Sequence, residues 1–406
     1  MDTTCCVVGG GPAGLMLGLL LARAGVAVTV LEKHTDFLRD FRGDTVHPST
    51  VRVMDELGLG ERFARIQQGR LEADRIRVGD EVVVASDYRR MPGTWPPFVA
   101  MVPQADFLDL LSAEALREPA FTLVRGAEVT GLIREGGRVA GVRCAGGPGQ
   151  VQAVLTVGCD GRRSVVRRDA ALPGRELDVP MDVWQVRVPK GPGHDGEGLT
   201  SVHYANGRSA VTVDRGDYYQ TVYEIPKGSD ARLRARPIQW LRGELAEIFG
   251  YTDTELAAIR SWDDVLLLET SMSRLRRWYA EGVLCLGDAA HTMSPVMGLG
   301  VNLAVQDAVA AARILAGPLR RGEVSVADLA RVQRRRHLPA RLSQRVQQGG
   351  HDALVRPALE GRLDRVPAPL RLVRRFPRVA GLSAYVSGVG IRPEPAPAFA
   401  RRPPVH

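Results

Sequence analysis

The sequence predicts an α/β protein: a Rossmann-like domain with a parallel sheet, interrupted by an antiparallel-sheet domain and followed by C-terminal helices. Three observations carry this. Residues 4–32 read as strand, glycine-rich turn, helix and strand, which requires a parallel pair joined by a crossover helix. Residues 175–270 carry short strands split by hairpin turns. From residue 283 a buried strand and a long apolar helix return. At 406 residues the chain exceeds one ordinary core and is long enough for two.

The elements follow in order. Residues 4–9 (TCCVVG) are a short apolar strand, 11–25 a helix ended by Gly25, and 26–32 (VAVTVLE) a second strand. Residues 49–69 carry two helical stretches broken near Gly58 and Gly60. Residues 103–118 read as a helix with Leu108, Leu111 and Leu116 as core candidates. Residues 120–157 alternate as strands with turns at Glu135-Gly136-Gly137 and Gly146 to Gly149. The next strands are Val183–Pro189, Thr200–Asn206, Ser209–Asp214 and Tyr218–Ile225, turning at Asn206-Gly207 and Arg215-Gly216, and residues 229–260 are helical. Residues 283–288 form a buried strand and 300–317 an apolar helix. Beyond Ser325 the chain is helical and arginine-rich, and beyond Arg392 it is proline-rich and expected to fray.

Lys+Arg 54 against Asp+Glu 46 leaves a net charge of +8, which steers anionic ligands such as nucleotides. Five cysteines, an odd number with no CxxC, indicate neither a disulfide framework nor a zinc site, and fit a reducing cytosol. No metal site is expected. Gly14 to Ala22 is too short to span a bilayer and no Lys or Arg precedes it, so a cytoplasmic protein with a mature N-terminus is expected.

Three motifs carry chemistry. Gly9-Gly10-Gly11-Pro12-Ala13-Gly14 contains G-x-G-x-x-G between a strand and a helix: Gly9 for the tight turn, Gly11 for backbone approach to a pyrophosphate, Gly14 for close packing. Glu32 ends the next strand, where an acid accepts ribose hydroxyls. The bland alternative, a glycine turn without ligand, lacks this context. The second motif, Gly158-Cys159-Asp160-Gly161 before Arg162-Arg163-Ser164, would alone be an ordinary Asp-Gly turn. The third is Gly287-Asp288-Ala289-Ala290-His291, followed by Pro295 and Gly298-Leu299-Gly300-Val301-Asn302. Its acid ends a strand facing a crevice, and the later amides open a helix that can stabilise negative charge.

In this order the motifs resemble the para-hydroxybenzoate hydroxylase-like class of single-component, FAD-dependent monooxygenases. So do Phe41-Arg42-Gly43-Asp44-Thr45, Val102-Pro103-Gln104, Asp182-Val183-Trp184 and the ending at Gly390 to Glu394. The resemblance implies that Gly9, Gly11, Pro12, Ala13 and Gly14 cradle the FAD pyrophosphate, and that Glu32, beside Lys33, binds the adenosine ribose. Arg42 and Gln104 would contact the phosphate and ribityl region, and Asp288 the hydroxylated linker. Pro295, Gly298, Gly300, Val301 and Asn302 would lie against the flavin ring. Asp160 would serve both FAD and a passing nicotinamide nucleotide. It also implies non-covalent FAD, reduction by transiently bound NADPH or NADH, and O2 transfer through a flavin C4a-hydroperoxide to a small aromatic or polyketide-like substrate. No specific catalytic side chain is implied. Relatives acting on polyketides often carry a thioredoxin-like C-terminal domain, for which this length leaves no room.

The implied domains are 1–174 and 271–320 for FAD, 175–270 for substrate, and 321–406 as C-terminal helices with a proline-rich tail. His203, Tyr204, Arg215, Tyr218, Tyr219 and Tyr223 are the substrate candidates, and strand alternation lets only about half point at the flavin. His291 and His47 read as packed or capping residues, although His47 could border the flavin. The cysteines read as buried fillers. Arg331 to Arg345 reads as a solvated helix face, and with no nucleic-acid motif no nucleic-acid partner is expected. A monomer or homodimer without a membrane span fits. Rival readings are a prenyl reductase, halogenase or epoxidase on the same fold, or a non-catalytic nucleotide-binding protein. The Trp-x-Trp-x-Ile pattern expected of flavin halogenases does not occur.

Overall fold

A computed structural model describes residues 1–37, 45–66, 69–191, 200–205, 207–363 and 365–403. Its centre is a sheet of five parallel strands in the spatial order Phe121–Arg125, Val28–Glu32, Asp2–Val8, Gln150–Gly158, Val283–Cys285. The helix Pro12–Arg23 carries the chain from Asp2–Val8 to the neighbouring strand Val28–Glu32. All its residues but Pro12 are buried, because it lies between the sheet and the helix Leu299–Arg320. A stretch that includes this second helix, Val296–Arg320, is long and apolar enough to cross a membrane, yet 78% of the window is buried inside the fold. Glu128–Glu135 and Arg138–Ala145 hang from Gln150–Gly158 as an antiparallel meander.

The second sheet has seven strands. Leu266–Leu268, Met181–Pro189, Tyr218–Pro226, Arg208–Asp214 and Thr200–Ala205 run antiparallel to their neighbours. Ala73–Val78 and Glu81–Asp87 then extend it, the former joined in parallel to Thr200–Ala205. The second sheet therefore draws two strands from the 1–174 segment. Hairpin turns at 175–270 marked most of it, but nothing local to residues 73–87 showed where their open edge would pair.

Three further expectations are corrected. Leu108 and Leu111 are buried, but Leu116 is 58% exposed, because the helix ends at Ala115 and Leu116 leaves its apolar face. Residues 393–400 are packed rather than frayed. Glu394, Ala396 and Ala400 are buried, Arg313 and Arg335 each bond Glu394 at 2.5 Å, and Arg23 bonds the Ala400 carbonyl at 2.8 Å. Proline composition does not report such ion pairs. On the helix Val326–Gly350, Arg331, Arg334, Arg341 and Arg345 face solvent as expected, but Arg336 is buried between Asp307 and Glu394. The residue 229–260 region is three short helices, Asp230–Arg234, Ile238–Phe249 and Asp253–Leu256, and the middle one covers the second sheet.

Candidate cofactor and substrate site

The first and second motifs meet because their strands are neighbours. Val8 pairs with Gly158, so both turns leave the same carboxyl edge of the sheet. Gly9 has φ +103°, and a β-carbon there would stand 2.4 Å from the Cys159 carbonyl oxygen. A β-carbon on Gly14 would stand 1.9 Å from the Gly9 oxygen. These two glycines are fixed by protein backbone. Gly11 is different: a β-carbon there would meet nothing within 4 Å. As N-cap it makes no side-chain bond, so the helix start presents uncapped N–H groups beside open space, a cradle suited to a pyrophosphate.

Glu32 is buried at the end of its strand. Its carboxylate accepts from Gly10 N–H at 2.8 Å and His34 N–H at 3.0 Å, so it braces the glycine loop. Lys33 beside it is exposed, and Gln104 opens its helix half-buried. Arg42 lies outside the described residues. Asp160 accepts from Val166 N–H at 3.2 Å through one oxygen, while its buried Oδ1 has no partner. Burial raises its carboxyl above the ordinary range, against the bonds from Ser164 and nearby amides.

Val283–Cys285 runs parallel to Gln150–Gly158 and delivers the third motif to the same edge. The predicted strand stops at Cys285, because Gly287 turns with φ +56°. Asp288 keeps its side chain one-third exposed, with an oxygen 3.5 Å from Arg162 Nε. His291 turns inward: its Nε2 lies 2.6 Å from Asp307 Oδ2, and both are buried. Asp307 also accepts from Arg336 at 3.0 Å and from Gly287 N–H at 3.3 Å. Burial opposes ionisation of Asp307, but His291 and Arg336 outweigh it and hold the carboxyl below its ordinary range. Asp307 and Arg336 were missed in the sequence because each sits in a helical stretch with nothing local to mark it.

The segment between Pro295, which is exposed, and the long helix takes two consecutive left-handed residues, Met297 (φ 65°) and Gly298 (φ 61°). Thr45 Oγ donates to the Gly298 carbonyl at 2.9 Å. Gly300 and Val301 are half-buried on the first turn of the helix. Asn302 is buried, and its carbonyl accepts from Ser49 at 2.9 Å and Thr50 at 2.5 Å. The helix start has no side-chain cap. The anion cradle, the unpartnered Asp160 oxygen and the accessible Asp288 carboxylate share the crevice outside the carboxyl ends of the strands, where such sheets bind ligands. These residues fit a dinucleotide cofactor.

The second sheet divides the substrate candidates by alternation. Tyr219 and Tyr223 face the covering helices: Tyr223 stacks on Trp184 and donates to Glu244 at 2.9 Å, and Tyr219 lies against Tyr251. His203 faces the same way, against Phe249. The opposite face carries Gln185, Arg187, Val213, Tyr218 and Gln220. It borders the cofactor crevice, since Val213 clusters with Met101, Met101 pairs with Thr45, and Thr45 bonds Gly298. Tyr204 shares that face but packs against Val355 and Ala358. Arg187 lies 4.3 Å over the Tyr218 ring, and Arg215 donates to Gln220 at 3.0 and 2.9 Å. Of the six candidates, Tyr218 and Arg215 are brought to the face that borders the crevice, whereas His203, Tyr219 and Tyr223 are turned from it.

Comparison with known proteins agrees with this geometry. A family described as "FAD binding domain" matches residues 2–345. A 6-methylpretetramide 4-monooxygenase of Streptomyces rimosus is 34% identical over 390 residues, covering 92% of each chain. A 12-dehydrotetracycline 5-monooxygenase/anhydrotetracycline 6-monooxygenase of the same species is 32% identical over 75% of this chain, which spans 60% of that protein. The anhydrotetracycline hydroxylase OxyS of Streptomyces rimosus superposes with TM-score 0.73 at 24% identity, covering 96% of this chain and 77% of OxyS. PqsL of Pseudomonas aeruginosa superposes with TM-score 0.75 at 22% identity, covering 90% of this chain and 98% of PqsL. The chain belongs to the FAD-binding family of para-hydroxybenzoate hydroxylase-like monooxygenases and is an FAD-dependent oxidoreductase.

Proposed function

We propose that this monooxygenase hydroxylates a phenolic, fused-ring aromatic of the polyketide type. The observation that carries the reading is the placement of one polar sheet face, with Gln185, Arg187, Tyr218 and Gln220, beside the helix start at Gly298. The relative that acts on 6-methylpretetramide, similar over 92% of the chain, supports this substrate class.

Bound FAD supplies the redox and oxygen-transfer chemistry. The chain supplies the rest. The N–H groups after Gly11 would bind the pyrophosphate, and Asp288 would accept from hydroxyls of the linker. The N–H groups of Leu299 to Val301, which open the helix without a side-chain cap, would set positive dipole beside a ring that gathers negative charge on reduction. The sheet face would cover one side of the ring and limit water there, with Gln220, held by Arg215, placed to orient a phenolic oxygen. NADPH or NADH binds transiently near Asp160 and Arg162, because the sequence holds no second glycine-rich strand-to-helix turn.

The test is aerobic NAD(P)H oxidation with a panel of simple phenols and fused-ring polyketide phenols, followed by mass spectrometry. A fused-ring product heavier by one oxygen is expected. NAD(P)H-dependent reduction of an isoprenoid double bond, with no oxygenated aromatic, would overturn the reading in favour of a reductase.

A further inference from the structure

His47 precedes the helix Pro48–Glu56 in extended backbone and is 2% exposed. Both of its ring nitrogens are buried and make no well-formed hydrogen bond, although the Gly298 and Met297 backbone stands close enough to act on the ring as a weak acceptor. Orphaned buried nitrogens demand an explanation, and functional sites are where they are retained. The setting supplies one. The ring lies against the backbone of Met297 and Gly298, the left-handed pair that opens the long helix. Met297 has a side chain, so its conformation is strained and persists only where surrounding structure imposes it.

The neighbours of His47 in sequence hold the same helix start. Thr45 donates to the Gly298 carbonyl, and Ser49 and Thr50 donate to Asn302. Residues 45–50 thus grip both ends of the first turn, with His47 in the middle of the grip. Burial pushes its imidazole down to about 4, against the pull of the Gly298 and Met297 backbone, so it is neutral near pH 7. Replacing it with an apolar residue therefore changes hydrogen bonding and placement, not charge.

We propose that His47 is a positioning residue of the flavin site: it fixes the Met297–Gly298 pair, and so sets how strongly the helix start favours reduced over oxidised FAD. This rests on the placement of Gly298 to Asn302 against the ring given above.

The experiment uses purified wild type, His47→Leu and His47→Gln, each loaded with FAD. His47→Leu fills the space but removes both nitrogens, and His47→Gln restores a donor and an acceptor. The expected result is about a tenfold loss of preference for reduced FAD in His47→Leu, which for a two-electron couple moves the midpoint potential about 30 mV lower. His47→Gln should recover most of it. A folded His47→Leu with the wild-type potential overturns the inference, as does a His47→Gln no better than His47→Leu. Should His47→Leu fail to fold, wild type decides by 15N NMR of its imidazoles, the His47 signal being identified by its loss in His47→Gln. That signal should move when FAD binds and again on reduction, and an unmoved signal overturns the inference. Wild type that binds FAD yet lacks hydroxylase activity would instead count against the proposed reaction.

Discussion

Glu224 gives the sharpest test of the second sheet. It lies opposite Ser209 in the ladder, is 5% exposed, and accepts a hydrogen bond from the Ser209 hydroxyl. Burial pushes its carboxyl up to about 7 from an ordinary 4.5, although the Ser209 bond pulls it down. The folded chain thus holds this proton more tightly than the unfolded chain. The stability it contributes is intact below pH 4.5 and is lost as pH rises through 7. At about 1.36 kcal/mol per unit of pKa, ionised Glu224 costs the folded state about 3 kcal/mol, of which about 2.5 falls between about pH 5 and pH 8. Glu224→Gln keeps an acceptor for Ser209 and never ionises. Its stability relative to wild type should therefore grow by about 2.5 kcal/mol over that interval. Urea unfolding followed by tryptophan fluorescence reads this out, because Trp184 is buried in the same sheet. Identical pH dependence in the two proteins would refute the argument.

The other predictions concern the cofactor crevice. Gly11→Ala should fold with wild-type stability yet lose FAD, because its methyl meets only the open cradle, and retained affinity in a flavin titration would show that the pyrophosphate lies elsewhere. Asp288→Ala should weaken FAD binding by roughly 1.5–3 kcal/mol, about ten- to a hundredfold. His291→Ala should instead spare affinity and lower stability by roughly 1–3 kcal/mol, since it deprives buried Asp307 of a partner, and equal flavin loss in both variants would show the motif wrongly assigned. FAD should be released into the supernatant by acid precipitation, and colour retained in the pellet would mean a covalent link. Stopped-flow flavin reduction at subsaturating NAD(P)H should slow as ionic strength rises, because the attraction of Arg162 and Arg163 for phosphate is screened, whereas a tight, salt-insensitive complex would reveal a dedicated second site.

The cofactor half of this protein was legible in the sequence because its determinants are local. Gly14 is demanded by the carbonyl of nearby Gly9 and Gly9 by its left-handed turn, to which the Cys159 carbonyl at the end of the neighbouring strand adds a contact, and alternation and turn residues marked most of the strands. The resemblance built on those motifs then named the family. What remained hidden depends on residues far apart in the chain. Residues 73–87 complete the second sheet only because an edge at Thr200–Ala205 stands open to them. Arg336 looked like one more solvated arginine until folding brought Asp307 and Glu394 to it. Glu394 and Ala400 looked like a loose tail until Arg313, Arg335 and Arg23 took hold of them. Alternation said that half of the substrate candidates would point away, but only the helix Ile238–Phe249, by covering one face, decided which half. His47 is the same case. Its sequence context, a residue before Pro-Ser-Thr, describes a helix start, and only the packing of Met297 and Gly298 against its ring brings it to the start of the long helix. Local sequence sets conformation and motif, whereas partners for buried charge and the choice of open face belong to the assembled chain.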